Sequence, residues 1–115
     1  MATDFRARAS RPKEGPLQHQ GYINLVRSMR CIRCGAQPRS QFCHADEGKG
    51  QGIKSDCRLG WPGCADCHWL VGTARIYPKA ERRALEADYG RRTRESVLAV
   101  GLWPKRLPLW PGDAA

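Results

Sequence analysis

The stretches Cys31-Ile32-Arg33-Cys34 and Cys64-Ala65-Asp66-Cys67-His68 frame a loop that holds Cys43-His44 and Gly48-Lys49-Gly50-Gln51-Gly52, and their spacing decides the fold. Two CxxC turns deliver four thiolates, which is the ligand set of a closed tetrahedral Zn²⁺ site. Four sulfurs saturate the ion. An ion held by Cys31, Cys34, Cys64 and Cys67 is therefore structural, and any chemistry falls to other side chains. A redox dithiol is the competing reading of each CxxC pair.

Composition fits a chain that needs such a staple. With 115 residues, 41% of them hydrophobic, two Phe and a mean hydropathy of −0.61, the chain makes one domain with a small core. A bound metal supplies stability that the core lacks. No apolar run reaches the ~18–20 residues of a membrane span, and the start Met1-Ala2-Thr3-Asp4-Phe5-Arg6 lacks the apolar stretch of a secretory signal. The expectation is a cytoplasmic protein with no membrane partner. In a reducing compartment six cysteines argue for metal ligation, with a secreted disulfide scaffold as the alternative.

The formal charge is +9, and it is unevenly spread. Lys and Arg exceed Asp and Glu by two in residues 1–20, by three in 21–74 and by five in 75–106. Such a surplus attracts polyanions through counterion release, and phosphate backbones are the commonest of these. The plainer reading is a soluble basic surface.

Four segments follow along the chain. Residues 1–20 are polar and carry Pro12, Gly15 and Pro16, which reads as a flexible basic arm. Residues 21–76 form the metal core. In it Tyr22, Leu25, Val26 and Met29 follow the i, i+3, i+4, i+7 spacing of a short helix that delivers Cys31. Gly35 suits the knuckle after Cys34, where a positive φ is needed. Ser40 to His44 reads as a strand, and Asp66 to Gly72 as a helix whose first turn carries Cys67 and His68. Residues 77–101 form a basic helical extension with Pro78 in its first position, an apolar stripe of Ala80, Ala84, Leu85 and Tyr89, a break at Gly90, a further turn from Thr93 and a stop at Gly101. Residues 102–115, with Trp103-Pro104 and Trp110-Pro111, read as an extended strap across the domain.

A closed zinc clamp would pin His44, at the end of a strand, and His68, on the following helix, across a small cleft. That layout sets a general base opposite a divalent ion bound at phosphate. In this order Cys31 to Cys34, His44, the Gly-rich loop, Ser55-Asp56 and Cys64 to His68 resemble the HNH endonucleases of ββα-metal fold held by a four-cysteine zinc. The segment His44 to Asp56 is similar to phage-encoded HNH proteins related to the recombination-enhancement nuclease, and the match spans about residues 22–101.

The resemblance implies a small α+β fold, a zinc-stapled ββα-metal core with flanking helices. It implies DNA phosphodiester hydrolysis linked to recombination or processing, with His44 as base, His68 as a ligand of a catalytic Mg²⁺ or Mn²⁺ and Asp56 orienting the base or the substrate loop. Two positions depart from the pattern. Cys43 and Gly72 stand where two further ligands of the catalytic ion are usual, and Asp46 or Asp56 could supply an oxygen from the loop, with substrate phosphate and water completing the shell. The expected partner is DNA, single or double stranded, contacted by Lys49, Lys54, Arg82, Arg83, Arg91, Arg92 and Arg94.

Each residue also has a plainer role. His44 fits a substitute zinc ligand or a core histidine, and His68 a hydrogen-bonding neighbour of the zinc. Cys43 and Cys57 fit buried fillers. Trp61, Trp69, Trp103 and Trp110 fit packing better than base stacking. The Gly-rich loop lacks the strand and helix that a nucleotide-cofactor cradle requires. Three functions compete: an HNH-type endonuclease, a zinc module that binds DNA or RNA without cutting, and a protein-interaction module.

Overall fold

His19 opens the first helix of the computed structural model, which describes residues 16–36, 40–45, 55–74 and 76–113. Its imidazole Nδ1 accepts the Tyr22 N–H at 3.1 Å and caps α1 (Gln20–Arg27), satisfying a donor that the helix cannot use itself. The helix buries Tyr22 and Val26, one turn apart, as the sequence spacing predicts. Downstream come β1 (Gln41–Cys43), a 3-10 turn (Cys57–Leu59), β2 (Trp61–Gly63), α2 (Ala65–Gly72) and α3 (Lys79–Ala99). The result is a small α+β arrangement with one two-stranded antiparallel sheet, in which Cys43 pairs with Trp61 and Gln41 with Gly63.

The β1–β2 ribbon separates two clusters of side chains. Phe42 packs against one, made of Tyr22, Val26, Cys57, Val97 and Leu107. Cys43 and Trp61 belong to the other, with Val71 and Tyr89. Strand alternation makes this division, because successive side chains leave a strand on opposite faces.

Several expectations need correction. Residues 16–20, assigned to the arm, are docked: Leu17 N–H donates to Asp56 at 2.9 Å, its carbonyl accepts from Cys57 N–H at 2.9 Å, and Gln18 donates to the Ser55 carbonyl at 2.7 Å. The rest of the arm lies outside the described residues. The resemblance implies a second strand, but the residue pattern did not place it, since Pro62 and Gly63 are poor strand formers. Pro62 lies on the edge of a two-stranded sheet, where a missing N–H is tolerated, and its carbonyl accepts the Ile32 N–H at 2.9 Å.

In α3 there is no break at Gly90: the helix runs on to Ala99 and ends where Gly101 takes a φ of 74°. Pro78 is the cap before α3 and not its first residue. The buried face is only partly the expected one, with Tyr89 buried and Leu85 packed against the Trp61 cluster. Ala80 and Ala84 are exposed, and Glu86, Tyr89, Gly90, Thr93, Arg94 and Val97 turn inward.

Residues 102–113 lie across the domain as an irregular strap. Leu107 enters the core, Trp103 meets the Tyr22 ring at 5.0 Å, and Arg58 donates to the carbonyls of Pro108 and Leu109 at 3.2 and 3.1 Å.

Candidate metal centre

Each cysteine pair sits on a turn shaped by its own backbone. In the first, Gly35 N–H returns to the Cys31 carbonyl at 2.8 Å, and Gly35 holds the φ of 76° that closes the knuckle. In the second, Cys64 is the N-cap of α2, and its sulfur takes the Cys67 N–H at 3.4 Å. The Sγ atoms of Cys31, Cys34, Cys64 and Cys67 lie within 4.8 Å of one another. Those of Cys34 and Cys64 are 3.8 Å apart. A tetrahedron of Zn–S bonds of about 2.3 Å has edges of about 3.8 Å, so the cluster fits Zn²⁺, and the separation is far longer than a disulfide bond of about 2.05 Å.

Electrostatics pull the sulfurs in different directions. Burial pushes the Cys31 thiol up, but backbone N–H groups from Cys64, Cys34 and Arg33 outweigh it and bring it down to about 6. Burial pushes Cys67 up to about 12, against an Arg33 guanidinium 3.7 Å from its sulfur. A bound dication favours the thiolate at every one of these positions. Cys31 and Cys67 are buried while Cys34 is exposed, so the centre lies at the surface of the domain.

The two histidines meet different neighbours. His68 is on α2, where its Nδ1 meets Gln41 Oε1 at 2.6 Å and its ring lies edge-on to Trp61 at 6.3 Å, on the Cys43 side of the ribbon. An amide oxygen only accepts, so Nδ1 carries the proton and Nε2 keeps a lone pair. Burial holds the His68 imidazole below its ordinary value, which keeps it neutral at pH 7. His44 is exposed, and its ring meets Phe42 edge-on at 5.1 Å. Since Phe42 packs against the Tyr22 cluster, His44 and His68 hang from opposite faces of the ribbon.

Asp56 also departs from its expected role. One oxygen accepts Arg58 N–H and Nε at 2.9 Å each, and the other accepts Leu17 N–H at 2.9 Å and Arg58 Nη2 at 2.8 Å. A buried carboxylate engaged four times is a structural anchor and does not orient a base. Cys43 is fully buried, and burial raises its thiol to about 12, so it is a core filler and not a ligand for a hard cation. Cys57 is likewise fully buried. Asp46, Lys49 and Lys54 lie outside the described residues. Among the described residues the cysteines form the one group of three or more potential ligands.

The arginines divide three ways. Arg83 is exposed. Arg91 pairs with Asp88 at 2.6 Å and Glu95 at 2.8 Å, while Arg92 shares Asp88 at 3.5 Å. Arg94 is withdrawn from any surface role: it is 5% exposed, bound to Asp113 at 2.6 Å and to the Arg58 carbonyl at 3.0 Å. Sequence reasoning missed a cavity of about 600 Å³ lined by Gly72, Thr73, Tyr77, Lys79 and Arg82. Its only signal in the sequence was the run of basic residues after Gly72.

Comparison of the chain with family models, with curated proteins and with solved structures finds no match.

Proposed function

We propose that the protein is a metal-dependent HNH-type endonuclease that hydrolyses DNA phosphodiester bonds, with His44 as general base, in phage- or prophage-linked recombination or processing of DNA. One observation carries the reading: β1, β2 and α2 follow in that order around one four-cysteine cluster, with an exposed histidine just past the first strand and a second directly after Cys67. A neutral imidazole at the edge of a site can take a proton from water. His68 supports the reading too, since a ring that donates Nδ1–H to an oxygen and keeps a lone pair on Nε2 is the form in which histidine binds metal. Mg²⁺ or Mn²⁺, when bound, would supply charge stabilisation at the phosphate. His68 is the single described ligand for that ion, so its shell needs loop oxygens, substrate phosphate and water.

One observation favours a second reading, a zinc module that grips DNA or RNA without cutting. The histidines leave opposite faces of the ribbon, with a buried thiol at position 43 and a glycine at 72. Incubation of supercoiled plasmid with zinc-loaded protein and Mg²⁺ or Mn²⁺ separates the two. Nicking is expected, and His44→Ala should lower it about 10²- to 10⁴-fold with zinc content and circular dichroism unchanged. Salt-dependent binding with no nicking selects the second reading.

A further inference from the structure

The geometry points to a binding surface for an unpaired nucleic-acid strand, formed by Trp69 on α2 and the basic cavity beside it. It rests on the preceding reading for the class of ligand and is independent of cutting. Three of the four tryptophans are packed, as expected of such residues: Trp61 is 1% exposed, Trp103 lies on Tyr22, and Trp110 lies beneath the guanidinium groups of Arg58 and Arg94 at 5.0 and 5.5 Å. Trp69 is 56% exposed. In a small domain that needs apolar area, an indole left in water is the exception to explain.

Three and four residues on, Gly72 and Thr73 share the helical face of Trp69 and form the lip of the 600 Å³ cavity. The space at Gly72 is open, for a Cβ there would meet only His68, at 3.9 Å. The far wall brings Lys79, Arg82 and the Tyr77 hydroxyl. Arg33 donates to that hydroxyl at 3.1 Å, so the oxygen is used as an acceptor and its own proton remains to be given to an anion. Lys79 stands in the first turn of α3, whose cap Pro78 offers no side-chain acceptor to the first N–H groups, and their partial positive charge adds to that of the lysine.

Charge is concentrated here. Two cationic side chains, Lys79 and Arg82, line the cavity together. The cations suit a phosphate, and the indole suits a neighbouring base. A duplex hides the faces of its bases, so a free indole gains stacking only from unpaired ones.

The test is fluorescence anisotropy with a labelled oligothymidylate of about 15 nucleotides and with the same strand in a duplex, using zinc-loaded protein without added Mg²⁺ or Mn²⁺. Cleavage then plays no part, and failure here is distinct from failure of the endonuclease. The wild type should bind the single strand more tightly than the duplex. Trp69→Ala should weaken single-strand binding about 5- to 150-fold, with Trp69→Phe restoring most of it and zinc content unchanged in both. Lys79→Ala should reduce the slope of log affinity against log salt by about 0.7. Binding by Trp69→Ala within twofold of wild type, or a preference for duplex, would overturn the proposal.

Discussion

The two sides of the β1–β2 ribbon are held together by different physics. On the side of Trp61 and Val71, four sulfurs converge on one point from two turns, and the local apolar cluster is small. Towards the strap, two buried arginines tie distant segments: Arg58 reaches Asp56, Pro108 and Leu109, and Arg94 reaches Asp113 and the Arg58 carbonyl. Both guanidinium groups also cover the Trp110 ring. The metal side would concentrate its stability in one ion. The strap side distributes it over charge-assisted hydrogen bonds, each contributing about 1.5–3 kcal/mol. Loss of a ligand and loss of an arginine should therefore differ in kind as well as in size.

The largest effect is expected from Cys67→Ser. Structural Zn²⁺ in small domains binds with about 10–16 kcal/mol of apparent free energy, which exceeds the total stability of most domains of this length. The wild type should carry one zinc per chain by elemental analysis. The variant should lose it, along with cooperative thermal unfolding followed by circular dichroism. A Cys67→Ser protein that unfolds like wild type without metal would show that the arginine side holds the domain alone.

Arg58→Met cuts the other side. It strips two hydrogen bonds from Asp56 and two from the strap carbonyls and leaves a carboxylate buried without its cation, at a cost of about 3–5 kcal/mol. Urea unfolding should show this drop while the zinc stoichiometry stays at the wild-type value. A pH series sharpens the contrast. Burial pushes the Asp56 carboxyl up, but the Arg58 side chain and the N–H groups of Leu17 and Arg58 outweigh it and hold it below its ordinary 3.8. A carboxyl depressed on folding stabilises above its unfolded value, and that contribution is lost as the pH falls below 3.8 towards the folded value. Asp56→Asn should flatten stability against pH in that range without moving the pH of zinc release.

The same contrast governs what could be read from the sequence. The metal side is legible because its ligands come in two turns of fixed spacing, and the CxxC pattern together with Gly35 names both the four sulfurs and the positive φ. The helix after Cys64 was legible for the same reason. The arginine side was not, because Arg58 and Arg94 meet partners 50 and 19 residues away, and a buried guanidinium looks in sequence like any solvated one. Arg94 and Asp56 accordingly read as functional groups and proved to be anchors. The inner face of α3 was missed because most of it is polar by type, with Glu86, Thr93 and Arg94 turned inward. The relation of His44 to His68 depends on which face of a three-residue strand each one meets, and a shift of one residue reverses it.

The smallest effect, and the sharpest on the joint between the two sides, is expected at Gly90. In sequence this glycine reads as a helix break, yet α3 passes through it unbroken. A Cβ there would lie 2.8 Å from the Leu59 carbonyl oxygen and 3.3 Å from its carbon. Those atoms belong to the backbone of the 3-10 turn that carries Arg58, so they cannot yield by rotating a side chain. Two terms oppose one another in Gly90→Ala. Helix propensity favours alanine by about 1 kcal/mol, and overpacking costs about 1–3 kcal/mol. Backbone contact should win, giving a net loss of about 1 kcal/mol in urea unfolding with zinc content unchanged. A gain in stability would mean that the 3-10 turn can withdraw from the helix, and that the Arg58 clamp does not depend on close contact with α3.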